Sequence, residues 1–113
     1  MTGPARPERR ALLELDALLE QLAALAGEGD AAKFGSDDRY RWIIERLWIA
    51  VGNEALAYLS HLGDLRRPPW RALVELRNEL AHQRLPDIDR DKVWRATVLR
   101  PGRLREQVRQ LLS

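Results

Sequence analysis

Three residues close together in the chain, Arg77, Asn78 and His82, are of types that can act on a phosphodiester. An arginine can hold a phosphate through two N–H groups and stabilise negative charge that develops on it. Histidine is the side chain best suited to moving protons near neutral pH. Together they are a minimal set for cutting a phosphodiester without a metal ion.

The same residues also have structural interpretations. A histidine at the end of a helix often only completes the last carbonyl groups. Asn78 and His82 lie four residues apart, so their side chains can bond to each other on one helix. Arg77 can belong to an ion pair that only stabilises the fold.

The spacing places Arg77 on the apolar side of a helix. At about 100° per residue, Arg77 lies about 40° from Leu73 and inside the apolar arc, whereas His82 lies about 180° from Leu73. Because an unpaired buried charge is costly, we predict an ion pair between Arg77 and Glu54, with Glu45 as the second choice. Arg77 and His82 are offset by about 140° around the helix. Their side chains can still reach one site if the helix ends before His82, or if two chains meet across a two-fold axis.

The first half of the chain has two segments in which apolar residues recur at helical spacing. The pattern predicts a first helix over about residues 8–26, a mobile loop over 27–35, and a second helix that Ser36 caps and that runs to about Leu62. Two apolar rows on the second helix predict a wide buried arc, one row through Ile44 and Trp48 and a neighbouring row through Ile43, Leu47 and Ala50. Gly52 lies in the middle of this helix, where glycine costs about 1 kcal/mol relative to alanine, and close packing of another helix would explain its presence.

The second half predicts a third helix from near Trp70 to between His82 and Arg84, before Pro86. Asp89 is expected to cap a short fourth helix, and Pro101 to open a last one. No segment alternates with period two, so no sheet is expected. The predicted fold class is all-α, an up-down bundle of four to five helices that ends in a short helix pair.

The composition limits the possible classes of protein. A chain of 113 residues with 45% apolar and 32% charged residues is typical of one globular domain over residues 1–113. Without cysteine it has no disulfide, thiol nucleophile or thiolate metal site, and its two histidines are too few to predict a zinc site. No apolar run is long enough to span a membrane and no signal peptide is visible, so we expect a cytoplasmic protein without a membrane partner.

Positive charge is concentrated in the second half of the chain. Residues 66–113 carry twelve basic and six acidic side chains, a net charge of +6. Such a surface can meet a phosphate backbone. A solvated, arginine-rich face without a ligand is the alternative interpretation.

The run from Arg77 to His82 resembles the Arg-Asn-x-x-x-His signature of the HEPN superfamily, a group of all-helical domains that includes many ribonucleases. Its flanks resemble the HepT-like branch: Pro69-Trp70-Arg71, Leu76, and Asp87-Ile88-Asp89 followed by Val93-Trp94. Gly52, Glu54 and Ala55 roughly resemble a Gly-Glu-Ala element of that branch, with Asn53 inserted. The resemblance covers about residues 36–112.

The resemblance implies a homodimer that cuts RNA without a metal or cofactor, at a cleft between two copies of the motif. Arg77 would bind and polarise the phosphate, His82 would move protons, and Asn78 would orient His82 or the phosphate. Glu54, Arg71 and Arg84 would be supporting residues. Many members are toxins that a small nucleotidyltransferase antitoxin restrains.

One position departs from the HepT-like pattern. The branch usually continues His-x-Tyr, with a tyrosine that the antitoxin adenylylates in some systems, but this chain has Arg84 there. Regulation by tyrosine adenylylation at this position is therefore not expected. Two alternatives to the ribonuclease remain: a non-catalytic module that binds a nucleotidyltransferase or RNA, and a purely structural helical dimer in which Arg77 only pairs with Glu54.

Overall fold

The computed structural model describes residues 5–113, which form helices and no strand. In chain order the helices are α1 (Arg6–Gly27), α2 (Ala31–Ser36), α3 (Asp38–Leu62), α4 (Trp70–His82) and α5 (Arg90–Leu112), with a short 3₁₀ turn at Leu85–Asp87. The predicted all-α class is confirmed. No helix within the described residues has the length and apolar composition that a membrane span requires.

The long helices run antiparallel to one another in sequence order. The Tyr40 hydroxyl, near the start of α3, donates to the Leu25 carbonyl near the end of α1. The rings of Tyr58 and Trp70 meet edge to face with centroids 5.6 Å apart, which joins the end of α3 to the start of α4. These contacts set the up-down order of the bundle.

Two ion pairs connect α5 to its neighbours and close the bundle. Arg105 Nε lies 3.0 Å from Asp16 Oδ1 on α1, and Lys92 Nζ lies 2.9 Å from Glu79 Oε1 on α4. The order of the long helices around the bundle is therefore α1, α3, α4 and α5.

The core takes apolar side chains from every helix, at the 3–4 residue spacing of one helix face. On α3 the predicted row is buried: Ile44, Trp48, Val51, Ala55 and Leu59. The predicted second row is wrong in part, because Ile43 is 52% exposed and both Leu47 and Ala50 are only half-buried. α1 and α4 are the main neighbours of α3, and α2 packs only against its first turns, so the bundle covers a single arc along most of α3.

The segment predicted as a mobile loop, 27–35, contains α2 instead. The Asp30 carboxylate caps this helix by accepting from Lys33 N at 2.8 Å. Phe34 is buried, and its ring centroid lies 5.4 Å from that of Trp94. Buried Arg41 donates to the carbonyl oxygen of Phe34. One large apolar side chain thus anchors the segment, and a single residue has no periodicity for sequence reasoning to detect.

Asp37, not Ser36, is the N-cap of α3. Its carboxylate accepts from Tyr40 N at 3.1 Å, whereas the Ser36 hydroxyl donates back to the Ala32 carbonyl at 2.8 Å. Ser36 is the last residue of α2, so it lies too early to cap the next helix.

The predicted pair of C-terminal helices is one continuous helix. Asp89 caps it as expected, with its carboxylate 3.1 Å from Lys92 N, but α5 runs through Pro101. A proline inside a helix removes one hydrogen bond and costs about 3 kcal/mol. The buried positions Thr97 and Leu104, on either side of Pro101, continue one stripe at helical spacing, and burying that stripe outweighs the lost bond.

Gly52 allows α4 to approach α3 very closely, as the sequence suggested. A Cβ atom at Gly52 would lie 2.1 Å from Arg77 Cβ and 2.9 Å from the Leu73 carbonyl oxygen. Neither neighbour is the free end of a flexible side chain. The absence of a side chain at Gly52 therefore sets the distance between α3 and α4.

We expect Gly52→Ala to lower the free energy of unfolding by about 1–3 kcal/mol, because the two helices must separate to admit the methyl group. The matched control is Gly102→Ala in α5, where nothing lies within 4 Å of the added Cβ. That change should stabilise the protein by about 0.5–1 kcal/mol through helix propensity. Urea denaturation measures both, and a Gly52→Ala variant as stable as the wild type would contradict the close approach.

Candidate functional site

Arg77 lies where α3 and α4 approach most closely, half-buried on the side of α4 that faces α3. The predicted position inside the apolar arc is confirmed. Because the stem of Arg77 packs on the backbone at Gly52, only its guanidinium reaches beyond the crossing.

Two asparagine side chains hold the guanidinium. Arg77 Nε donates to Asn53 Oδ1 on α3 at 2.8 Å, and Nη1 donates to Asn78 Oδ1 at 2.8 Å. Both acceptors are neutral amides, so they fix the orientation of the guanidinium without cancelling its charge. Of the five N–H groups on a guanidinium, three remain for a ligand.

The predicted ion pair between Arg77 and Glu54 is wrong. Within residues 5–113 no carboxylate lies within 4.0 Å of Arg77. Asn53 and Glu54 are adjacent on an unbroken helix, so their side chains diverge by about 100°. Asn53 therefore faces α4, and Glu54 turns away from it toward α1.

Glu54 lines a cavity of about 680 Å³ between α1 and α3, together with Arg10, Glu14 and His61. Burial and the neighbouring Glu14 raise the pKa of Glu54 above its ordinary value, while Arg10 opposes the shift. The surroundings of Glu54 thus belong to α1 and are separate from the guanidinium site.

Glu45, the second choice as a partner of Arg77, is buried nearer the start of α3. Burial raises its pKa, and the charges of Arg41 and Arg90 act against that rise. Glu45 therefore interacts with the region where α2 and the start of α5 meet α3, and not with Arg77.

The other predicted site residues lie around Arg77 in different settings. The amide oxygen of Asn78 accepts from Arg77, and no hydrogen bond joins Asn78 to His82 within the described residues. Arg71 is exposed and pairs with Glu75 one turn along α4 at 3.4 Å. Arg84 is exposed beyond the end of α4, directly before the 3₁₀ turn.

His82 is exposed and is the last residue of α4. The helix does not end before it, so the offset of about 140° from Arg77 persists within one chain. The structure therefore brings Arg77, Asn53 and Asn78 together but leaves His82 on another side of α4. Of the two ways to unite Arg77 and His82, only a second chain remains.

A largely exposed row on α3 leads to Asn53. Trp42, Arg46, Ile49 and Asn53 follow one another at helical spacing; Trp42 is 51% exposed, and Ile49 is half-buried. We call these four residues the α3 outer row. Trp42 lies about three turns before Asn53 on α3, and an indole this exposed is typical of a surface that is covered by a partner or a ligand.

Asn53 was missed as a site residue in the sequence, where it was interpreted as an insertion. The available signal was its position directly after Gly52. The residue next to a small residue at a helix crossing lies at the edge of that crossing, where its side chain can reach the other helix.

Replacing Glu54 with glutamine tests the corrected surroundings of this carboxyl group. Because its pKa is raised in the folded state, the ionised form destabilises the fold above that pKa, and the effect vanishes below the pKa of the unfolded chain. Glu54→Gln should therefore unfold at higher urea concentration than the wild type at pH 7, and the gain should disappear near pH 4.

Glu106→Gln, on the exposed side of α5, should change stability little at either pH. A loss of about 3 kcal/mol in Glu54→Gln at pH 7 would instead be the signature of a broken buried ion pair. That result would contradict the raised pKa of Glu54.

Comparison of the chain with protein-family models, curated proteins and solved structures found no match.

Proposed function

We propose that this chain is a metal-independent endoribonuclease of the HEPN type that works as a homodimer in the cytoplasm. The observation that carries the proposal is the guanidinium of Arg77, oriented by two amide oxygens and paired with no carboxylate among the described residues. A fixed, uncompensated positive charge is suited to binding a phosphate.

Arg77 would bind the scissile phosphate of RNA through its three free N–H groups. During cleavage, negative charge accumulates on the non-bridging oxygens of the phosphate, and a preorganised cation stabilises that charge most in the transition state. Asn53 and Asn78 act as positioning residues, because they orient the guanidinium without neutralising it.

His82 would carry the protons. Attack of the ribose 2′-oxygen on phosphorus forms one P–O bond and breaks the bond to the 5′-oxygen of the next nucleotide. The attacking hydroxyl loses a proton and the leaving oxygen gains one, and an imidazole can exchange both near pH 7. The exposure of His82 leaves its ring accessible to RNA.

A homodimer supplies what the single chain lacks. Because Arg77 and His82 project from different sides of α4, the active cleft would combine Arg77 of one subunit with His82 of the other. The exposed Trp42 and Ile43, about three turns before Asn53 on α3, provide apolar surface for such an interface.

The role as a toxin restrained by a nucleotidyltransferase antitoxin follows from the HepT-like resemblance. Arg84 replaces the modifiable tyrosine, so restraint would come from binding and not from adenylylation at this position. The same arginine, together with the separation of His82 from Arg77, favours one alternative: a non-catalytic module that binds the nucleotidyltransferase or RNA through Arg77.

Arg77→Ala and His82→Ala should each abolish cleavage of total RNA, while EDTA should leave wild-type cleavage unchanged. Arg109→Ala, which removes an exposed arginine from α5, is the matched control and should cleave like the wild type. Circular dichroism checks that all variants fold. RNA degraded equally by the wild type, Arg77→Ala and His82→Ala would defeat the proposal, and RNA binding without cleavage would favour the non-catalytic module.

Mixing the two inactive variants tests the shared cleft. In a heterodimer of Arg77→Ala with His82→Ala, one of the two clefts contains both functional residues. Random exchange of subunits should therefore restore about a quarter of wild-type activity. If each subunit holds a complete site, the mixture stays inactive even though both variants still dimerise.

A further inference from the structure

A long groove runs along the junction of α4 and α5. The close backbone contacts of the bundle lie between α1 and α3, α3 and α4, and α1 and α5, but α4 and α5 stay further apart. Three cavities of about 120, 260 and 280 Å³ follow this junction. The first two share Ala72 and Arg100, and the last two share Pro69 and Gln107, so they form one continuous groove.

The floor of the groove is apolar. It is formed by side chains of both helices, among them Leu73, Leu76, Ala96 and Leu104. Partly exposed Leu111 adds apolar surface at the end that lies nearest Trp70.

The edge of the groove carries an excess of unpaired positive charge. Its two acids are already compensated, Glu79 by Lys92 at 2.9 Å and Glu75 by Arg71 at 3.4 Å. Arg100 and Arg103 also line the groove, and neither has an ion-pair partner within residues 5–113.

We infer that this groove binds an amphipathic helix of a partner protein, with its apolar face on the groove floor and acidic side chains against Arg100 and Arg103. The lining extends along α5 from Lys92 to Leu111, about 28 Å, which matches a helix of about 18–19 residues. An apolar floor between basic side chains complements such a helix in both shape and charge.

The observations favour a helix over RNA. Single-stranded RNA needs exposed aromatic faces on which its bases can stack, and the one tryptophan of the groove, Trp70, is buried. The groove also lies apart from the Arg77 guanidinium, because α4 presents Leu76 and Glu79 to the groove while the guanidinium bonds to Asn53 of α3.

The probe is a fluorescein-labelled 18-residue peptide with leucines on one helical face and glutamates on both flanks, measured by fluorescence anisotropy. A second peptide carries lysines in place of the glutamates. The glutamate peptide should bind at least about tenfold more tightly than the lysine peptide, because only it complements Arg100 and Arg103.

Two double variants of α5 locate the binding. Arg100→Glu with Arg103→Glu should weaken binding of the glutamate peptide at least about tenfold and should strengthen binding of the lysine peptide. Arg95→Glu with Arg109→Glu places the same charges at exposed positions outside the groove lining and should change neither affinity by more than about twofold. Ala72→Trp, which fills the middle of the groove, should block both peptides.

Failure of the glutamate peptide to bind the folded protein would overturn the inference, and so would binding that ignores the charges at positions 100 and 103. RNA cleavage should survive Arg100→Glu with Arg103→Glu. If cleavage and RNA binding are lost with this variant while no peptide binds, the groove is a nucleic-acid surface. The ribonuclease proposal then stands and the helix-binding inference falls.

Discussion

The approach of α3 and α4 at Gly52 is the constraint on which the site depends. Because Gly52 has no side chain, the stem of Arg77 lies against the α3 backbone and its guanidinium reaches Asn53. An ion pair there would stabilise the fold and neutralise the arginine at once. Amide oxygens satisfy two of its N–H groups and leave the charge available, which is the property that the proposed binding of a phosphate requires.

Much of the fold was predictable because it follows from periodicity. Apolar residues at helical spacing predict the helices and the buried row through Trp48. A glycine in the middle of a helix, Gly52, indicates the close packing of α4 on α3. Two features do not follow from the local sequence rules: α2 depends on the burial of Phe34, and α5 continues through Pro101 because packing on both sides outweighs one lost hydrogen bond. Tertiary packing determines both the formation of α2 and the continuity of α5, and local sequence rules do not describe tertiary packing.

A helical wheel predicted the directions of the site residues around α4 but not their partners on other helices. The wheel placed Arg77 toward a neighbouring helix, but it could not say which residue of that helix would meet the guanidinium. A difference of one residue, Asn53 in place of Glu54, rotates the partner by about 100° and replaces a carboxylate with an amide. The wheel also separated His82 from Arg77 correctly, and within one chain the separation remains. The α3 outer row and the α4–α5 groove then lie on different sides of the bundle, which allows one surface for a second subunit and another for a partner helix.

The most direct measurement is the affinity of an uncleavable 2′-O-methyl RNA oligonucleotide for Asn53→Asp. The aspartate keeps an acceptor near Arg77 Nε but adds the missing negative charge, and Ser60→Asp adds the same charge about two turns further along α3, at an exposed position. If the uncompensated charge of Arg77 binds phosphate, Asn53→Asp should weaken RNA binding at least about tenfold, and far more than Ser60→Asp, while the fold is at least as stable. Wild-type affinity in a folded Asn53→Asp variant, or equal losses in the two variants, would contradict the account.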